Sequence, residues 1–159
     1  EFGYPLTFDL IGDYGIYRDL QRHRILTQER QDLNPYNGFT MPKEISEAGL
    51  ADKVEACKKK SQKLYETLCK DFPKEAQYAV LFGFNIRFRM GMNFREAMHM
   101  LELRTIPQGH PNYRKLCQRM HIATKEKPPD LAGLLNFVDY DEYFCSRADS
   151  EAKQRQKAY

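Results

Sequence analysis

Apolar and polar residues alternate most strictly between Phe82 and Met92. Every second residue in this segment is aromatic or aliphatic, and the residues between them include Arg87 and Arg89. A period of two predicts either a strand or an extended segment that lines a cleft, and in both cases one face is apolar and the opposite face carries both arginines. A shorter alternation from Tyr4 to Ile11 predicts another strand.

Other segments repeat their apolar residues at three- and four-residue spacing, which is typical of amphipathic helices. The predicted helices run from Asp13 to Arg24, from about Glu47 to Asp71, from Pro73 for a short distance, from Asn93 to Arg104, from Pro111 to Met120 and from Leu131 to Val138. Asp13 and Asn93 are residue types that cap helix N-termini, and Glu96 stands where a capping box places its acidic residue. Residues 31–45 contain turn sequences and are predicted to form a loop.

A chain of 159 residues predicts a single domain. We place this domain at residues 1–145 and expect a polar tail at residues 146–159 that frays or pairs with a neighbouring chain. The chain begins without methionine, so we expect part of the fold to precede residue 1. The expected fold class is α+β, rich in helix and with a small sheet.

The amino-acid composition restricts the classes of protein to which this chain can belong. The net charge of +3, from 25 basic and 22 acidic residues, neither demands nor excludes nucleic-acid binding. We do not expect such binding, because the phenylalanines of the alternating segment lie opposite Arg87 and Arg89, whereas a stacking platform exposes aromatic rings and cations together. No apolar run is long enough to predict a membrane helix. The four cysteines lie far apart, which favours reduced thiols and a cytoplasmic location. Cys57 and Cys117 fall on apolar helix stripes and are predicted to be core thiols.

Several kinds of site lack their motifs in this sequence. The four histidines do not have metal-ligand spacing, so no metal site is predicted. We interpret His110 and His121 as surface or cap residues. Glycine-rich phosphate loops and nucleophile motifs are absent, so the sequence leaves the catalytic residues unassigned.

Arginine is the notable chemical feature, because its planar guanidinium binds phosphate with two hydrogen bonds. It occurs in Arg22-His23-Arg24, at Arg87 and Arg89, in Asn93-Phe94-Arg95 and at Arg104. On a helix, Arg95, His99 and Glu102 share one face. That face is either simply solvated or binds an anionic ligand together with the end of the first helix, and both interpretations stay open.

The same motifs carry a resemblance to a known family. Arg22-His23-Arg24, then Asn93-Phe94-Arg95, then Leu101-Glu102-Leu103-Arg104 resemble the flavin-dependent thymidylate synthases, over about Leu6 to Val138. These enzymes convert dUMP to dTMP with FAD, NADPH and methylenetetrahydrofolate, and they form homotetramers with sites between subunits. The resemblance thus implies a homo-oligomer, or pairing with a second similar domain.

The resemblance also assigns binding residues. It implies FAD contacts from Arg22, His23, Arg24, Asn93, Arg95 and His99, and dUMP contacts from Arg22 and Arg104.

Several positions depart from the family pattern. Asp32 stands at the family's serine, Asn34-Pro35 replaces an arginine followed by tyrosine, and Gln77 stands at the arginine that grips the substrate phosphate. On the FAD side, Glu29 and His99 stand where the family often has asparagine. A carboxylate repels a phosphate, and a lost arginine removes a charge-assisted hydrogen bond. A second hypothesis is therefore a catalytically inactive FAD-binding or structural domain of a larger chain.

Overall fold

The computed structural model of the protein describes residues 6–126, 133–143 and 146–157. Its strands are β1 (Leu6–Asp13), β2 (Thr27–Arg30) and β3 (Asn85–Met92). Its helices are α1 (Tyr14–Leu20), α2 (Lys43–Glu47), α3 (Ala51–Leu68), a 3₁₀ helix (Glu75–Ala79), α4 (Phe94–Thr105), α5 (Pro111–Lys125) and α6 (Ser146–Lys157). The expected α+β class is confirmed.

The strands form one antiparallel sheet in the order β1-β3-β2. Strand β3 lies in the centre, and its alternation has the predicted result: Ile86, Phe88 and Met90 are buried, whereas Arg87 and Arg89 are exposed. A residue period of two places successive side chains on opposite faces of a sheet. The local pattern was therefore sufficient to predict this strand.

Contacts between Cα atoms divide the chain into two compact units. We call Asp9–Arg22 with Gln28–Met90 the strand unit, and Glu1–Phe8 with His23–Thr27 and Gly91–Tyr159 the helical unit.

The core of the strand unit forms where α1 packs on the strands. Asp13 caps α1, because its carboxylate accepts a hydrogen bond from the backbone N–H of Ile16 at 2.8 Å. The ring of Tyr17 lies edge-on to that of Phe88, with centroids 5.1 Å apart. Such edge-to-face aromatic contacts add to the stabilisation from burial.

Helix α1 ends at Leu20, so the prediction that it continues through Arg22-His23-Arg24 was wrong. The last helical hydrogen bond is donated by the backbone N–H of Gln21 to Tyr17. The three residues of the motif therefore lie beyond the helix.

Helix α3 is shorter than predicted, and its apolar stripe is not buried. Gly49, at φ +68°, ends the short helix α2 within the predicted range, since glycine tolerates this left-handed conformation. Leu50 and Leu64 are exposed, and Cys57 is exposed rather than part of the core. The buried residue of α3 is Ser61, whose hydroxyl donates to the carbonyl of Ala79.

In the helical unit, α4 packs against α5. The core between them contains Met100, Leu101, Cys117 and Met120. Burial raises the pKa of the Cys117 thiol to about 12, so this cysteine is a protonated core residue, as predicted.

The segment 133–143 lies along α5 and is held there by three side chains of one helix face. Arg114 donates to the carbonyl of Asp141, Gln118 donates to the carbonyl of Asp139, and His121 bonds the hydroxyl of Tyr140. Residues 133–143 contain no helix, so the predicted helix over 131–138 is wrong for its described part, while residues 131 and 132 lie outside the described ranges.

The loop and the C-terminal tail that the sequence predicts also differ from the structure. The loop predicted over 31–45 includes the start of α2. The tail from residue 146, predicted to fray or to pair with a neighbouring chain, forms α6 rather than fraying, and its pairing with another chain stays a prediction. The domain boundary at 145/146 stays a prediction, because residues 144 and 145 lie outside the described ranges.

Candidate functional site

Helix α4 begins where the sequence predicts. The side chain of Asn93 accepts a hydrogen bond from the backbone N–H of Glu96 at 2.9 Å, which caps the helix. Phe94, Ala97 and Leu101 face the core. The opposite face is therefore left for polar side chains.

That opposite face lines an open cleft of about 760 Å³. Its lining residues are Ile25, Asn93, Arg95, Glu96, Met98, His99 and Glu102. The predicted common face of Arg95, His99 and Glu102 is confirmed by this arrangement. Cavities of this volume are typical of small-molecule sites.

Glu96, which lines the cleft, also belongs to a hydrogen-bonded series of three side chains that we call the relay: Glu96, His23 and Arg104. Glu96 Oε1 lies 2.9 Å from His23 Nδ1, and Arg104 Nε donates to His23 Nε2 at 2.9 Å. Glu96 and His23 are buried, and Arg104 is partly buried. The ring of His23 also lies near that of His99, with centroids 5.6 Å apart, so the relay adjoins the cleft.

The relay determines the protonation of His23. An arginine Nε–H only donates, so His23 Nε2 must accept and Nδ1 must carry the proton that is donated to Glu96. Burial, and then the charge of Arg104, lower the pKa of His23 below its usual 6.5, against the opposing hydrogen bond with Glu96. Near neutral pH, His23 is therefore uncharged.

The other two residues of the first motif are placed differently. Arg22 belongs to the strand unit, is exposed, and forms an ion pair with Asp19 at 3.4 Å. Arg24 belongs to the helical unit, is exposed, and is not among the residues that line the cleft. Of the three, the structure brings only His23 together with Arg104 and His99.

The two arginines of β3 are paired with carboxylates of neighbouring strands. Arg87 Nε donates to Asp9 at 2.9 Å, and Arg89 lies 3.7 Å from Glu29. The hydrogen bond from Arg87 lowers the pKa of Asp9. Both arginines thus bridge strands within the strand unit, with their charges balanced.

The loop that departs from the family pattern is closed by its own hydrogen bonds. Asn34 Oδ1 accepts from the backbone N–H of Tyr36 at 3.0 Å, which forms the predicted turn at Asn34-Pro35. Gln77 accepts from the backbone N–H of Leu33 at 2.9 Å, and Arg30 also reaches Gln77, at 3.5 Å.

Three structurally important residues were missed or misassigned. Glu96 matches a capping-box pattern, yet its carboxylate bonds His23 rather than the backbone. Arg114 is buried without a sequence signal, and His121 is buried rather than a surface or cap residue. His110, by contrast, caps α5 through the backbone N–H of Asn112, as predicted.

The described residues contain no cluster of His, Cys, Asp and Glu side chains that could hold a metal ion. Likewise, no helix in the described ranges is long and apolar enough to cross a membrane.

Comparison with known proteins identifies a family. The sequence model of the family described as "Thymidylate synthase complementing protein" matches residues 4–130. The chain is 37% identical over 149 residues to a UPF0159 protein of Chlamydia muridarum, 36% over 154 residues to one of Chlamydia pneumoniae, and 33% over 154 residues to one of Thermoplasma acidophilum.

These three alignments cover 94%, 97% and 96% of this chain, but 28%, 28% and 31% of the relatives. The chain therefore spans less than a third of the length of the curated relatives that it matches.

Proposed function

We propose that this chain, which belongs to the family of thymidylate synthase complementing proteins, binds FAD in the α4 cleft and contributes it to the synthesis of dTMP from dUMP. The observation that carries the proposal is the grouping of Asn93, Arg95 and His99 in one cleft. Because the chain matches less than a third of its relatives' length, the whole reaction, the predicted homo-oligomer and the cytoplasmic location are parts of this proposal.

The lining of the cleft fits one end of a dinucleotide. Ile25 and Met98 supply apolar wall for a flat ring, and Arg95 at the N-terminus of α4 supplies charge for a phosphate. Two carboxylates also line the cleft. Glu96 accepts a hydrogen bond from Nδ1–H of His23, and Glu102 accepts one from the backbone N–H of Phe137. Both carboxylates therefore already accept hydrogen bonds from other residues of the protein.

Flavin reduced by NADPH would supply the hydride for this reaction, with methylenetetrahydrofolate as the carbon donor. The chain's own residues would bind and orient. Arg95 would pair with a cofactor phosphate, His99 would border the ring, and Arg104 would take the nucleotide substrate, as the resemblance implies. The FAD contacts assigned to Arg22 and Arg24, which do not line the cleft, stay predictions.

Replacing Arg95 with alanine is expected to lower the retention of flavin about tenfold or more, because one charge-assisted hydrogen bond to phosphate is lost. The visible absorption of the purified protein, incubated with FAD and then desalted, measures the retained flavin. The exposed position of Arg95 means that the fold should be unaffected.

Arg119→Ala is the matched control, because Arg119 is also exposed but does not line the cleft. It should retain as much flavin as the wild-type chain. Equal retention by Arg95→Ala and Arg119→Ala, or a folded wild-type chain that stays colourless after loading, would refute the cleft as the flavin site.

A second candidate function is an FAD-binding or structural part of a longer protein that does not itself turn over dUMP. The closed loop around Asn34 and Gln77 favours it, since the side chains at the substrate-phosphate positions bond the backbone of their own unit. Asp32 adds an exposed negative charge at the family's serine position.

We expect this chain by itself to show no saturable dUMP binding at millimolar concentration in isothermal titration calorimetry. The physical reason is the repulsion between Asp32 and a phosphate dianion and the lack of arginine at positions 34 and 77. The double variant Asp32→Ser with Asn34→Arg restores the family residues and should increase binding. Saturable wild-type binding would instead favour turnover by this chain.

A further inference from the structure

The relay of Glu96, His23 and Arg104 links the two ends of helix α4. Glu96 lies in the first turn of α4 and Arg104 in the last, about 12 Å apart along the axis at 1.5 Å per residue. His23 comes from a different part of the chain and bonds both residues, with nitrogen–oxygen and nitrogen–nitrogen distances of 2.9 Å. One imidazole therefore connects a buried carboxylate to a distant guanidinium.

Among the residues that the structure describes, none gives the charge of Arg104 an anionic partner. Its guanidinium lies over the ring of Tyr113, 5.6 Å from the centroid. Within the described ranges, no carboxylate forms an ion pair with Arg104. Since Nε is bonded to His23 and the ring of Tyr113 covers the guanidinium, the Nη groups remain for a ligand.

The tautomer of His23 determines whether Arg104 can keep its hydrogen bond to the imidazole. With the proton on Nδ1, Nε2 accepts from Arg104; with the proton on Nε2, two donors face one another and the hydrogen bond is lost. A carboxylate oxygen accepts, so Glu96 bonds the ring when Nδ1 carries the proton. A substitution at position 96 is therefore expected to change how the guanidinium of Arg104 is held.

We propose that Glu96 is a positioning residue which, by holding His23 in its Nδ1–H tautomer, fixes the guanidinium of Arg104 for an anionic ligand. The proposal rests on the proposed function for the identity of that ligand, a phosphate-bearing nucleotide. Its structural part concerns the protein without any ligand, and it is testable separately.

Nitrogen-15 NMR of the imidazole and guanidinium groups tests the proposal in the ligand-free chain. We expect His23 in the wild type to show a protonated Nδ1 and an unprotonated Nε2, and Arg104 to show a slowly exchanging Nε–H signal. Addition of inorganic phosphate should shift that Arg104 signal. A wild-type His23 protonated on Nε2 would overturn the proposal without any variant.

Two variants then test the role of Glu96. Glu96→Leu should populate the Nε2–H tautomer of His23 and accelerate exchange of the Arg104 Nε–H about tenfold or more, as expected for the loss of one hydrogen bond to a charged group. Glu96→Gln keeps an acceptor oxygen and should preserve both signals. Exchange that is unchanged in a folded Glu96→Leu chain would overturn the proposal.

Glu102→Gln is the control for loss of a negative charge from the same helix. Glu102 accepts from the backbone N–H of Phe137 and is outside the relay, so this variant should leave both signals unchanged, and altered signals in it would overturn the assignment to Glu96. If the relay signals behave as expected but the wild-type chain retains no flavin, the positioning role stands and the proposed function fails.

Discussion

Replacing Arg114 with alanine is expected to lower the free energy of unfolding by about 3 kcal/mol. The buried guanidinium donates to the carbonyls of Thr105 at 2.8 Å and Asp141 at 2.9 Å, and it lies 3.3 Å from the carboxylate of Asp139. It also lies over the ring of Tyr143, 4.8 Å from the centroid. Alanine would leave these acceptors without their donor in a largely buried setting.

Urea denaturation followed by circular dichroism measures this loss. Arg119→Ala, an exposed change on the same helix, should remain within about 0.5 kcal/mol of the wild type. Arg114→Lys should recover only part of the stability, because an ammonium cannot reproduce the planar arrangement of the two donors Nε and Nη1. A loss below about 1 kcal/mol for Arg114→Ala would mean that the segment 133–143 is not held by these contacts.

The second large effect is a fall in stability under mildly acidic conditions. Burial lowers the pKa of His121 and, together with Arg104, that of His23. The unfolded chain binds protons at these histidines near pH 6.5, whereas the folded chain does not. Stability is therefore complete above about pH 6.5 and is lost as the pH falls below that value towards the lowered folded pKa.

Urea midpoints at pH 7.5 and pH 5.0 test this expectation, with a clearly lower midpoint at pH 5.0. His121→Gln removes one of the two titrating groups and should reduce the difference between the two midpoints. The pKa of Asp9 is lowered from 3.8 by its hydrogen bond with Arg87. Protonation of this carboxylate therefore changes the free energy of unfolding only at more acidic pH. Equal midpoints for the wild type would contradict the burial of neutral histidines.

Local patterns were enough to predict the central strand and two helix starts. The alternation around Ile86 and Phe88 depends only on neighbours two positions apart. Asp13 and Asn93 cap helices by bonding a backbone N–H three residues ahead. These interactions are formed within a few residues, so the sequence contains all the information that they need.

Predictions that depended on which face of a helix is covered were less successful. The stripe that contains Cys57 and Leu64 has helical spacing, yet both residues are exposed. Arg114 and His121 lie on the buried face of α5 beside Cys117, although arginine is mostly exposed in proteins and histidine is only intermediate in burial. Spacing predicts that side chains share a face, but the packing of other segments decides whether that face is buried.

The features of the candidate site likewise divide into those that local patterns predict and those that only the fold produces. By itself, the sequence determined the cap at Asn93, the common face of Arg95 and His99, and the motifs by which the family was identified. Only the tertiary structure decided that His23 contacts Glu96, 73 positions away, and Arg104, 81 positions away. Hydrogen bonds between such distant residues form only when the fold brings them together, and no local spacing encodes them.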